Sequence, residues 1–211
     1  MDVCEKYHHL YSHIRLLGKE GQNMGKIVSA DDALQKLKKG NEAYIDASTN
    51  PADVSKAIRK ETMVNGQFPY AIVVTCSDSR CIPEAVFSAG IGDIFTIRVA
   101  GNVMDNHQLG SVEYAAEHLG TRLCVVLGHT NCGAVGSTLE GGAPEGYVKT
   151  LTDSIKAAIG SETDPYKACK LNVENSVKQI EEKVHIPDEE GLSFKVVGAI
   201  YDIGEGTVEF L

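Results

Sequence analysis

The chain predicts an α/β domain with a mainly parallel central sheet flanked by helices. Three observations carry that reading. Short apolar runs rich in Val and Ile recur along the 211 residues, each too short for a helix and too uniformly apolar for a half-exposed strand. Stretches of helical periodicity alternate with them, the pattern of strands joined by crossover helices. The apolar content of 43% and charged content of 23% are ordinary for a globular domain of this length.

In chain order, residues 1–27 carry Tyr7, Leu10, Tyr11, Ile14 and Leu17 at roughly helical spacing and are expected to form a helical arm, leaving 28–211 as one domain. Ser29 followed by Asp32 is an N-cap pattern, and Ala33, Leu34, Leu37, Ala43 and Tyr44 extend a helix face that Gly40 is expected to interrupt. YAIVVTC (70–76) is a first buried strand and DIFTIRVAGN (93–102) a second. GSVEYAAEHLG (110–120) is a helix closed by Gly120. TRLCVVLGH (121–129) is a third strand, CGAVGSTLEGG (132–142) begins a helix, and 147–185 reads as helices punctuated by Gly160 and Pro165. SFKVVGAIYDI (193–203) is a fourth strand, and Gly204-Glu-Gly206 turns into TVEFL as an antiparallel partner.

The bulk numbers exclude some functions. A formal net charge of −9 speaks against nucleic acid and anionic membrane as partners. No run approaches the ~20 apolar residues of a membrane span, and the first residues lack the apolar stretch of a signal peptide, so a cytoplasmic protein is expected. Six cysteines in a chain of this size are read as reduced thiols, and clustered ones as candidate metal ligands.

Two strands end in reactive residues. The first delivers Cys76, Asp78 and Arg80; the third delivers His129 and Cys132. The carboxyl ends of parallel strands line the ligand crevice of an open sheet, so neighbouring strands would bring Cys76, His129 and Cys132 together. Two sulfurs and an imidazole suit Zn²⁺, and three protein ligands leave one position open for chemistry. Asp78 is either a fourth ligand, which would make the site structural, or an outer acceptor for bound water. Arg80 is placed to hold it by a bidentate pair. Cys81, Cys124 and Cys169 are read as small buried hydrophobes.

Cys76-Ser-Asp78-Ser-Arg80, followed by His129-x-x-Cys132-Gly133, resembles the β-class carbonic anhydrases. The likeness extends through IRVAGN (97–102), 110–120 and 196–211, and covers roughly 28–211. It implies a zinc ion on Cys76, His129 and Cys132, with Asp78 and Arg80 as the catalytic dyad beside it. It further implies reversible hydration of CO₂ to bicarbonate and a proton, by attack of zinc-bound hydroxide. In the family the aspartate can also swing in as a fourth ligand. Gln67, Phe95, Tyr114 and Gly133 match substrate-pocket positions, some supplied across a dimer interface, so a homodimer or dimer of dimers is implied. A COS or CS₂ hydrolase on the same scaffold and a non-catalytic zinc protein are the alternatives. Two positions depart from the pattern. Cys81 stands where an aliphatic residue is usual. Val73 stands where an anion-regulated form has Trp, so Arg98, which matches an arginine of that regulatory site, is read as structural.

Overall fold

The structure, a computed structural model, describes residues 27–47, 49–141 and 144–211. The expected arm therefore lies outside the described residues except for Ile27. Five strands form one sheet: β1 (Ala71–Thr75), β2 (Ile94–Arg98), β3 (Leu123–His129), β4 (Lys195–Tyr201) and β5 (Val208–Phe210). Their order is β2-β1-β3-β4-β5, parallel except for the antiparallel β4–β5 pair. The α/β class and the antiparallel last strand agree with the sequence reading.

Alternation along the strands builds two cores. Ile72, Val74, Cys124 and Val126 face one side, where they meet α4 (Asn106–His118), α6 (Val148–Ile159) and α7 (Pro165–Lys183). Ala71, Val73, Leu123, Val125 and Leu127 face the other, where they meet α1 (Ala30–Asp46). A strand buried on both faces has no reason to carry polar residues, which is why β1 and β3 read as unbroken apolar runs. Arg122 enters β3 almost fully buried; it donates to the Pro187 carbonyl at 3.1 Å and pairs with Glu189, tying the loop before β4 to the sheet.

Four local differences from the sequence reading have physical causes. Helix α1 runs straight through Gly40 instead of breaking there. A Cβ at Gly40 would stand 2.0 Å from the Phe87 carbonyl oxygen, so glycine serves close packing against the chain after α3 (Pro83–Val86), not a kink. The second strand stops at Arg98; residues Ala100–Asn102 form a 3₁₀ turn with Gly101 at φ +70° and Asn102 at φ +44°. Helix α4 starts at Asn106, because Asp105 and Gln108 close a reciprocal capping box. An additional helix, α2 (Lys56–Asn65), is capped by Ser55 and buries none of its residues.

β1 lies between β2 and β3, so the crossover from β2 to β3 passes over it and the connections reverse direction between β1 and β3. In open parallel sheets such a reversal, here at the carboxyl ends of these two strands, is where a ligand crevice forms. α5 (Gly133–Leu139) begins at its edge.

Candidate metal centre

Cys76 is the first residue after β1 and His129 the last of β3, and the two strands pair directly, Thr75 opposite Leu127. Three residues on, Cys132 stands at the N-cap of α5, reached through Asn131 in the left-handed region at φ +54°. The donor atoms of Cys76, His129 and Cys132 all lie within 4.8 Å of one another, and all three residues are buried.

The imidazole is oriented for ligation. Its Nδ1 lies 2.9 Å from the Thr130 carbonyl, which can only accept, so Nδ1 carries the proton and Nε2 presents a lone pair. Nε2 is buried and has no hydrogen-bond partner. An orphaned imidazole nitrogen facing two sulfurs is costly in a packed protein, and a cation between the three donors would satisfy it. The electrostatics favour positive charge at the same place. The Cys132 thiol, by hydrogen bonding to it, pushes the Cys76 pKa down; the neighbouring Cys76 thiolate in turn holds the Cys132 proton on. Burial opposes charge on His129, but the Cys76 sulfur, the Thr130 carbonyl and Asp78 carry its pKa above the ordinary value. Two soft sulfurs and one imidazole are the donor set zinc prefers.

Asp78 and Arg80 form the rim. Arg80 Nε donates to Asp78 Oδ1 at 2.9 Å and Nη2 to Oδ2 at 2.7 Å, a bidentate pair, and the Arg80 backbone N–H adds a third bond at 2.9 Å. Chiefly through the Arg80 side chain, the carboxyl is held well below the usual carboxylate range. Asp78 Oδ2 stands 3.9 Å from His129 Nε2. In this arrangement the carboxylate belongs to Arg80, and the clustered donors are the three deeper ones.

Two residues that sequence reasoning did not single out, Asn131 and Gly101, and Arg98, which it read as structural, hold this rim in place. Asn131 offers its carbonyl to Arg80 Nη2 at 3.2 Å. The Gly101 N–H donates to Cys76 Sγ at 3.2 Å. Arg98 is structural in a specific sense: it donates from Nε to the Cys76 carbonyl and from Nη2 to the Asp78 carbonyl, at 3.2 and 2.7 Å. The available signal was the left-handed tolerance of Gly and Asn in AGN and HTNC, which marks turns but not what they hold.

A sequence profile of the carbonic anhydrase family matches residues 71–208. One of the tetrameric β-carbonic anhydrases of Sordaria macrospora superposes with a TM-score of 0.63 at 28% identity, over 74% of this chain and 87% of that one. This chain belongs to the β-class carbonic anhydrase family. The carbonic anhydrase of Mycolicibacterium smegmatis is 34% identical over 189 residues, 84% of this chain and 91% of that protein. Carbonic anhydrase 2 of Mycobacterium tuberculosis is 38% identical over 132 residues, 60% of this chain and 63% of that one.

The remaining pocket positions of this carbonic anhydrase are not all beside the donors. Gly133 is, as the first residue of α5 and exposed at the crevice. Gln67 is exposed ahead of β1, so the whole strand separates it from Cys76, about 17 Å at roughly 3.3 Å per residue. Phe95 pairs with Ile72, four residues before Cys76 and about 13 Å back along the strand. Tyr114, on α4, keeps its ring 6.2 Å from that of Phe95. Within one chain, Phe95 and Tyr114 sit together toward the amino end of β1, which Gln67 precedes, away from the three donors. No described helix is long and apolar enough to cross a membrane.

Proposed function

We propose that this enzyme hydrates CO₂ reversibly to bicarbonate with zinc held by Cys76, His129 and Cys132, as a cytoplasmic homodimer or dimer of dimers. The observation that carries the metal is the buried, unpartnered His129 Nε2 facing two sulfurs at the sheet's switch point. Zinc at such a site acts as a Lewis acid that acidifies water into a nucleophile near neutral pH.

The chain's own residues do the rest. Asp78, kept ionised by Arg80, can only accept a hydrogen bond. It therefore fixes how a water at the centre points its hydrogen, and with that its lone pair. A carboxyl with so low a pKa is a poor store for a proton at neutral pH, so its role is orientation and the released proton passes to solvent and buffer. Arg80 also offsets the negative charge of the thiolates and of Asp78, which by themselves would make that water less acidic.

Gln67, Phe95 and Tyr114 contact substrate in the crevice of a partner copy. Their distance from the donors in their own chain supports this, as does the surface around them. Met63, Val64 and Phe68 are 78%, 74% and 45% exposed beside Gln67, and β2 is an edge strand. An apolar patch of this kind next to an open sheet edge calls for a covering subunit.

Metal analysis joined to stopped-flow CO₂ hydration across pH tests the reading. The expected result is one zinc per chain and an anion-inhibited activity that rises with pH and disappears on chelation. Full activity in metal-free protein would overturn it.

A further inference from the structure

We infer that Asn172 and Ser176, inside α7 and hydrogen-bonded to none of the three donors, are positioning residues for the metal centre: they hold the turn that sets the Gly101 N–H on the sulfur of Cys76. The inference rests on the zinc reading above. Both side chains are polar and almost fully buried, at 2% and 1% exposure, in the core layer that holds Cys169, Val173 and Ile180. Buried polar groups in such a layer need a partner. Four residues apart, they share one face of the helix and spend their bonds on one turn. Asn172 Nδ2 donates to the Gly101 carbonyl at 2.7 Å, and Ser176 Oγ donates to the Asn102 carbonyl at 3.0 Å.

That turn does not hold itself. Gly101 and Asn102 are consecutive left-handed residues, closed by one bond from the Asn102 N–H to the Val99 carbonyl at 3.0 Å. Residue 101 is also crowded: a Cβ there would stand 2.8 Å from Ile155 Cδ1 and 3.2 Å from the Ala134 Cβ. The two carbonyls pinned from α7 belong to the Gly101–Asn102 and Asn102–Val103 peptide units, so they anchor the turn directly after the Ala100–Gly101 peptide unit, whose N–H stands 3.2 Å from Cys76 Sγ. A hydrogen bond to a ligand sulfur withdraws charge from it, so the sulfur gives less to the metal and the metal acidifies its water more strongly. Two thiolates work against an acidic water, and this N–H is a device within the chain that offsets them.

Three variants test it: Asn172→Ala, Ser176→Ala, and Ser176→Thr, which keeps the hydroxyl. Each is measured for zinc content, for the pH at which hydration is half-maximal, and for the thiolate-to-metal absorption band of the cobalt(II)-substituted protein. The alanine variants are expected to keep their metal and move the midpoint upward. Activity near pH 7 then falls about tenfold and recovers at high pH, while the cobalt band shifts to longer wavelength. Ser176→Thr should behave as wild type. If Asn172→Ala fails to fold, the Ser176 pair decides. Alanine variants with full metal whose midpoint and cobalt band match wild type overturn the inference, even if activity drops equally at every pH. A wild-type chain without metal overturns the zinc reading itself, and the inference with it.

Discussion

The two ends of the central sheet are built by different logic. At the carboxyl end, Cys76, His129 and Cys132 converge within one chain, each fixed by backbone it cannot escape: a strand end, a strand end and a helix cap. At the other end, Phe95 and Tyr114 lie ring to ring, and Gln67 sits in the exposed segment leading into β1, next in sequence to the exposed Phe68. One end needs only correct folding to be complete. On the function proposed above, the other acquires a catalytic purpose only when a second copy supplies what it lacks. On that same proposal, the metal half of this site is a property of the monomer fold, and the substrate half a property of assembly.

The largest effect expected is on the metal half. Cys132→Ser should lose zinc and activity together, because a hydroxyl is a poor ligand where a thiolate stood. A full complement of metal in that variant removes Cys132 from the donor set. Asp78→Asn should keep zinc and lose activity by about a hundredfold, the cost of a misoriented reacting group; unchanged turnover would leave Asp78 without an orienting role. Gln67→Ala should keep zinc and lose about tenfold, since one polar contact to substrate is worth roughly a kcal/mol. The comparison itself is tested by co-expressing Gln67→Ala with Cys132→Ser. A mixed dimer pairs an intact metal half with an intact Gln67 from the other chain. Its activity should exceed the average of the two parents, and an activity equal to that average places both halves in one chain.

The donors were legible because their chemistry is local and their spacing short: a thiol ending one apolar run, and His-x-x-Cys ending another. The sheet was legible because β1 and β3 are buried on both faces. The supports were not. Nothing in Asn172 or Ser176 distinguishes a side chain bonded to a turn 71 or 74 residues away from an ordinary polar helix position. Gly40 misled because a glycine in a helix signals a break, and only the Phe87 carbonyl beside it reveals close packing. α2 was passed over because it buries nothing and so leaves little apolar periodicity to read.

The smallest effect expected concerns stability, and pH isolates it. Folding depresses the Asp78 pKa, through the bond from Arg80 above all. An unfolded aspartate titrates near about 3.9. As pH falls, the unfolded chain takes up this proton before the folded one does, so acid favours unfolding at this site. The contribution is therefore fully present above about pH 4 and is lost as pH drops toward the folded value. Asn cannot ionise, so Asp78→Asn lacks it throughout. In metal-free protein, urea unfolding should show a wild-type advantage that is level from pH 8 to about 5 and shrinks toward pH 3. The advantage is small, because the Arg80 side chain is 51% exposed and solvent screens the pair. A gap that widened in acid would reverse the sign. The Asp78–Arg80 pair would then be a strain that the metal centre imposes on the rim, not a bond that the folded chain gains from.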